Sequence, residues 1–199
     1  FLAEILEEII DDRVKIFNKD ILKFDESSLS KKKIIVFGNL PYNISTEILS
    51  TWITNLKNNY WFSDLILMFQ KEVADRIIAQ FNTSAYGRLS ILAHWRLNIN
   101  KICDILPESF SPRPKVKSSL IHFTPKKNFA EIRDPLNLEK ITRIFFSHRR
   151  KMLKKPFNQI FNGNTYLLDK FNLDLSLRPQ NLDFETYYKL TIEYEKLRS

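Results

Sequence analysis

Apolar positions along this chain change period several times, and each change marks an element. Apolar residues at 2, 5, 6, 9 and 10 share one face of a helix over residues 2–10. Val14, Ile16 and Phe17 then predict a short strand that closes on Asn18-Lys19-Asp20. The unbroken run Ile34-Ile35-Val36-Phe37 predicts a strand buried on both faces. Ser45 or Thr46 is placed to cap a helix with Ile48, Leu49, Trp52, Ile53 and Leu56 on one side. Residues 65–69 read as another buried strand, and Val73, Ile77 and Phe81 mark the helix after it. Leu89, Leu92, Ala93 and Arg96 again fall at helical spacing. Residues 102–105 and 116–123 read as late strands, the second alternating. Such alternation of strand and helix predicts a mostly parallel α/β sheet. After Pro125 the pattern is helical throughout, over residues 136–152, 165–171 and 184–197. The chain therefore divides into an α/β domain, 1–125, and a small all-α domain, 126–199, joined near residues 126–135.

Composition narrows the picture. With 16 Phe, 7 Tyr and 3 Trp in 199 residues there is material for a real core. No apolar run approaches the roughly 20 residues of a membrane span, and no signal peptide is visible. One cysteine, Cys103, excludes a disulfide framework or a cysteine-built metal site within one chain. It reads as a small core residue in a protein of the reducing cytosol. His94, His122 and His148 share no ligand spacing with one another or with Cys103, so no metal and no nucleophilic triad is expected. The net charge of +8 is uneven: residues 1–125 carry 16 Lys and Arg against 14 Asp and Glu, residues 126–199 carry 15 against 9. A basic final third suits a polyanion such as nucleic acid, or reflects a lysine-rich, AT-biased genome.

The chemistry concentrates in Asn39-Leu40-Pro41-Tyr42, which ends the run Ile34-Ile35-Val36-Phe37-Gly38. A strand that stops here puts a side-chain amide and a proline-fixed carbonyl at the carboxyl edge of a sheet, where open α/β sheets bind ligands. Those two oxygens suit an exocyclic amino group held for alkylation. Asn and Pro are also ordinary turn residues, so the neighbouring segments decide between the two readings.

They do so through a family resemblance. Phe37 to Thr46 resembles the amino-methyltransferase motif of the rRNA adenine dimethyltransferases. Further segments are similar, in order, to the bacterial small-subunit rRNA adenine N6,N6-dimethyltransferase branch: Gln70-Lys71-Glu72-Val73-Ala74-Asp75-Arg76, Ala85-Tyr86-Gly87-Arg88-Leu89-Ser90 and Phe110-Ser111-Pro112-Arg113-Pro114-Lys115-Val116-Lys117-Ser118. Phe146-Ser147-His148-Arg149-Arg150-Lys151 and Leu177-Arg178-Pro179-Gln180-Asn181-Leu182 continue it in the helical part.

The resemblance implies a Rossmann-like S-adenosylmethionine-dependent methyltransferase that dimethylates N6 of two adjacent adenosines near the 3′ end of small-subunit rRNA. A monomeric, cytoplasmic protein whose partner is the rRNA or the precursor small subunit goes with it. Adenine N6 is a poor nucleophile because its lone pair is delocalised into the ring. Hydrogen bonds from N6 to the Asn39 amide oxygen and the Pro41 carbonyl would favour a pyramidal nitrogen. Tyr42 would stack on a base drawn out of its helix, with Phe110 closing the other face, although a core aromatic is the plainer reading of Phe110. By resemblance Asp20 accepts from the adenine amino group of S-adenosylmethionine, with the Ile21 backbone and Asn39 beside it; as a residue alone, Asp20 is a turn or cap aspartate. Tyr86, Arg88, Arg113, Lys115 and Lys117 are expected at the RNA entrance. Arg149, Arg150, Lys151, Lys154 and Lys155 are expected along a basic helix, as phosphate contacts or as a solvated face.

The chain departs from the family at one end of the site. Only Gly38, Gly87 and Gly163 are present, so no glycine-rich loop can cradle the methionine of the cofactor. The family's first motif, and the acidic residue for the ribose, would precede residues 2–10; Phe1 in place of Met points to truncation. In the implied strand order 3-2-1-4-5-7-6, residues 14–17 would be strand three and 34–37 strand four. With the first two strands missing, those two would stand about 14 Å apart or pair directly. Two other functions are open at this point: an Erm-type large-subunit enzyme, which typically has Ile where Leu40 stands, and a catalytically silent RNA-binding assembly factor.

Overall fold

A computed structural model describes residues 11, 13–56 and 60–198. The helix expected over residues 2–10 lies outside the described residues.

Four strands form one mixed sheet in the order β1-β2-β4-β3: β1 Ile34–Asn39, β2 Phe62–Gln70, β3 Leu97–Ile105 and β4 Ser118–Pro125. Only β1 and β2 are parallel, with Val36 opposite Leu65 and Asn39 opposite Met68. β4 runs antiparallel between β2 and β3, placing Ser118 against both Gln70 and Ile105. The expectation of a mostly parallel sheet is thus corrected. The short return from β3 to β4 needs no crossover helix, and an antiparallel pair results. The implied order of strands four, five, seven and six is the order found.

Residues 14–17 form no strand, and Val14 and Phe17 are about half exposed, 49% and 50%. Neither a gap between two strands nor their direct pairing is seen. A β-strand is defined by its ladder partner, and no described strand offers one to this segment. β1 is a terminal strand among the described residues, and its burial alternates rather than continues. Ile35 and Phe37 are 57% and 76% exposed, so the expected two-sided burial is wrong for this strand. Val36 faces the core with Leu65, Leu67, Phe69, Ile121 and Phe123. Cys103, expected in the core, is exposed on β3, where the register with β4 slips between Lys101 and Cys103.

Two helices follow strand ends, α1 Ser45–Thr54 after β1 and α2 Lys71–Ile78 after β2, and a third, α3 Arg88–Arg96, leads directly into β3. α1 buries Ile48, Leu49, Trp52 and Ile53 as its spacing requires. Its cap position is Ile44, without a side-chain cap; Ser45 is already helical and its hydroxyl donates to the Tyr42 carbonyl. Phe81 lies beyond α2, which ends where Ala79 leaves the helical region. The helical part comprises α4 Pro135–Ser147, α5 Lys154–Phe161, α6 Thr165–Phe171 and α7 Phe184–Lys196. Residues 136–152 are therefore not one helix, and α5 was not expected. α4 stops where His148, at φ −118° and ψ 38°, leaves the helical region, and Pro156 is accommodated because it stands in the first turn of α5. Asn162 at φ 50° and Gly163 at φ 73° then turn the chain into α6, both residue types that accept the left-handed region.

The helical part is tied to the sheet part by buried polar groups as well as apolar ones. Tyr188 Oη donates to the Ile91 carbonyl at 2.9 Å, and Trp95 Nε1 to the Ala130 carbonyl at 2.8 Å. α3 packs on both α4 and α7, and one hydrophobic core runs through both parts.

Candidate active site

β1 delivers its last residue, Asn39, to the carboxyl edge of the parallel pair. Gly38 just before it sits where a side chain has no room: a Cβ would lie 2.7 Å from Leu67 Cδ2 and 3.2 Å from Leu40 Cδ2. Pro41 ends the ladder because it has no N–H to donate. A turn follows at once, in which Ile44 N–H donates to the Pro41 carbonyl at 3.1 Å.

The far end of the tetrapeptide is anchored across the sheet. Tyr42 Oη and Ser118 Oγ are 2.5 Å apart, and Ser118 is fully buried at the start of β4. One residue on, Lys71 N–H donates to the Lys117 carbonyl at 2.9 Å, closing α2 against the same strand start. The tetrapeptide is thus held by its own turn and by β4, while Asn39 itself is exposed. Its amide, and the carbonyl of Leu40, take no hydrogen bond from the described residues. The Pro41 carbonyl expected as an acceptor is already engaged by Ile44, so the open carbonyl of the four is that of Leu40.

Ser118 is the site residue that sequence reasoning missed. It stands in a quoted motif, but its pairing with a tyrosine 76 positions away has no local signal.

Phe110 lies in the loop that leaves β3 at this same edge. It is half-buried and outside the hydrophobic core, so the plainer core reading does not hold. The edge also carries charge. Lys101, at 2.6 Å, and the Ser119 hydroxyl hold the Asp104 carboxyl below its usual range. Asp75 pairs with Lys71 at 2.8 Å and raises the ammonium.

Asp20 is exposed and closes a turn: Leu22 N–H donates to its Oδ1 at 3.0 Å, and Lys23 Nζ stands 3.8 Å from Oδ2. The carboxylate keeps accepting capacity, and Ile21 beside it packs on the core. An exposed accepting carboxylate suits the amino group of a cofactor's adenine. Among the described residues, no group of His, Cys, Asp or Glu is arranged to hold a metal.

The residues expected at RNA separate into four groups. Arg88, Arg113, Lys115 and Lys117 are exposed, although Arg113 is paired with Glu108. Tyr86 is corrected: it is fully buried, edge-on to Phe184 at 5.3 Å and Phe146 at 6.0 Å, and cannot meet RNA. Arg149, Arg150 and Lys151 are not on a helix but in the turn after α4, where Lys151 N–H donates to the His148 carbonyl at 2.8 Å. Lys154 and Lys155 open α5.

A strand-end amide beside an open carbonyl and an aromatic ring, on a sheet of this order, defines an amino-methyltransferase of the Rossmann-like class. Residues 1–196 match the family model described as ribosomal RNA adenine dimethylase, and the chain belongs to that family. It is 64% identical over 197 residues to Ribosomal RNA small subunit methyltransferase A of Pelagibacter ubique, covering 99% of this chain and 75% of that protein. A protein of the same name from Xanthobacter autotrophicus is 36% identical, covering 100% and 68%. Among solved structures, a dimethyladenosine transferase from Plasmodium falciparum superposes with a TM-score of 0.71 at 24% identity, over 97% of this chain and 76% of that one. The 23S rRNA methyltransferase ErmE superposes at 0.65 with 16% identity, over 98% and 78%. These two likenesses speak for the fold alone.

Proposed function

We propose that this protein transfers methyl groups to N6 of adenosines in small-subunit ribosomal RNA, in the cytoplasm, with S-adenosylmethionine as donor. One observation carries the reading: the Asn39 amide and the Leu40 carbonyl are open on the carboxyl edge, beside a tyrosine clamped to the sheet. The names of the relatives support the small subunit over the large one.

S-adenosylmethionine, when bound, supplies an electrophilic methyl group; Asp20 and Ile21 would hold its adenine. The chain's own residues prepare the nucleophile. An N6 amino group donating to Asn39 Oδ1 and to the Leu40 carbonyl is pulled toward a tetrahedral nitrogen. Its lone pair leaves conjugation with the ring and is directed outward. The strand fixes the Asn39 backbone and the turn fixes the Leu40 carbonyl, so the main chain that carries both acceptors needs little reorganisation during transfer. Tyr42 can orient the base because its own ring is fixed through Ser118. Transfer breaks the sulfur–methyl bond and leaves N6 cationic; loss of one proton to solvent restores a neutral N6-methyl amine, whose remaining hydrogen can meet one of the acceptors, so a second methylation can use the same site.

The test is methyl transfer by the full-length protein from labelled S-adenosylmethionine to small-subunit particles, with the product nucleoside identified. N6,N6-dimethyladenosine, lost by about a hundredfold or more in turnover in Asn39→Ala with RNA binding retained, is the expected result. Normal turnover in that variant would remove the proposed role of the tetrapeptide.

A further inference from the structure

The end of the sheet opposite the tetrapeptide carries a cavity of about 640 Å³. β4 spans the distance. It begins at Ser118, bonded to Tyr42, and ends at Pro125, about 24 Å away along an extended strand. Leu97 pairs with Pro125 there, so Arg96 and Lys127 flank the same strand ends. The Arg96 carbonyl accepts from Lys126 N–H at 2.8 Å and from Tyr60 Oη at 2.9 Å, which fixes its main chain. Arg133 and Glu195 border the cavity from the helical part.

Arg96 is buried without an answering charge. It lines the cavity yet is only 6% exposed, and a guanidinium is costly to bury unpaired. Its plane is held over the rings of Trp95, at 4.1 Å, and Phe129, at 5.0 Å. Of its donors, Nη1 is engaged by the Leu56 carbonyl, while Nε is buried with no hydrogen bond. No carboxylate pairs with it among the described residues, and burial holds the guanidinium below its ordinary value.

The acids nearby do not meet this charge. Glu195 accepts from Arg133 N–H at 3.0 Å, Asp134 N–H at 2.9 Å and Asn137 Nδ2 at 3.1 Å, so it serves the start of α4. Glu131 is exposed and in no ion pair among the described residues. Lys127 and Arg133 line the same space, both exposed and neither ion-paired among the described residues. Lys196 is held by Glu193 at 2.9 Å.

Three cations thus converge on a space that supplies them no anion. A carboxylate ligand has two oxygens and one charge. A phosphate has more of both and can accept from a guanidinium fork and from further cations together. The cavity is of a size that takes an organic ligand, and Ile132 and Ile192 give it an apolar wall, so a sugar attached to the phosphate fits. We propose that this cavity binds the phosphate of a nucleotide, in the RNA backbone or free, at a site separate from the methyl-transfer edge. The proposal does not depend on the reading of Asn39 to Tyr42, and its failure would leave that reading untouched.

The experiment uses full-length protein with S-adenosylhomocysteine filling the cofactor site. Inorganic phosphate, followed by its 31P line width at constant ionic strength, should bind saturably. Acetate at the same concentration should not displace it. The double variant Lys127→Gln/Arg133→Gln, both changes at exposed positions, should weaken binding by about tenfold, as expected for lost charged hydrogen bonds. Arg96→Lys keeps the charge but loses the fork and should weaken it similarly. The double variant carries the test if that buried change disturbs the fold. Affinity for small-subunit particles separates the two sources. For a backbone phosphate, the double variant flattens the plot of log affinity against log salt by about 1.5 units, at roughly 0.7–0.9 per contact. An unchanged slope with phosphate still titrating assigns the site to a free nucleotide. Phosphate binding that the double variant leaves unchanged, or no binding together with an unchanged slope, overturns the proposal. Displacement by acetate overturns the choice of phosphate.

Discussion

Tyr42 and Ser118 share a hydrogen bond of 2.5 Å across 76 residues of sequence, joining the end of the Asn39–Tyr42 tetrapeptide to the first residue of β4. Ser118 is buried and pairs with Gln70 and Ile105, so the hydroxyl is fixed by two neighbouring strands. The ring of Tyr42 therefore holds its place through the sheet and not through its own turn alone.

That link should be visible as coupling. Tyr42→Phe keeps the ring, and Ser118→Ala keeps the strand; each should lower turnover about fivefold, the net value of one hydrogen bond. The double variant should cost no more than either single one. Fully multiplicative losses in single-turnover methylation would show that the two groups act separately.

Gly38→Ala tests the close approach beneath the site. The new Cβ would press on Leu67 Cδ2, and Leu67 is fully buried with no open side toward which to move. Overpacking of this kind costs about 1–3 kcal/mol, or a few degrees in Tm for a chain of this size. Because Leu40 is the next atom met, turnover should fall as well. Leu67→Val in the same protein should recover part of both losses. A single variant with unchanged Tm and turnover would mean that the strand yields freely.

Salt dependence tests the basic surface. Arg150, Lys151, Lys154 and Lys155 are exposed, and none forms an ion pair among the described residues. Neutralising all four should flatten the plot of log affinity against log salt by about 3 units, at roughly 0.7–0.9 per phosphate contact. Arg149 is left out because it already bonds Ser84 and Gln180. An unchanged slope would make these side chains a solvated face.

A pH effect on stability is expected at His94. Its ring stacks on Phe184 at 4.5 Å, and Nδ1 lies 3.0 Å from the Ser90 carbonyl. Burial holds the imidazole below its ordinary value, partly opposed by Ser90, and the nearby Lys126 charge adds to the lowering. A base with a depressed folded pKa gives up its proton on folding. The unfolded chain therefore gains protons first as pH falls below about 6.5. Stability due to this group is present above that value and is lost as pH falls toward the folded one. His94→Gln should show a flatter Tm between about pH 7.5 and 5. An equal slope in both proteins would place the acid sensitivity elsewhere.

The local sequence determined much of this molecule. The apolar spacing of residues 48–53 made α1, the alternation in 119–123 made β4, and Pro41 after Asn39 ended β1 at the carboxyl edge of the sheet. Each depends on neighbours within a few positions, and for that reason each was legible.

What the sequence could not decide was which surfaces meet. An apolar run such as residues 34–37 is compatible with a central or an edge strand, and only the pairing of β1 with β2 alone exposes Ile35 and Phe37. The strand expected at residues 14–17 failed because a ladder requires a partner that no local pattern provides. Tyr86 lies inside and Cys103 outside because helices α4 and α7 cover one and nothing described covers the other. The Tyr42–Ser118 bond belongs to the same class. It depends on the antiparallel return of β4 beside β2, a relationship between distant segments that tertiary packing alone creates.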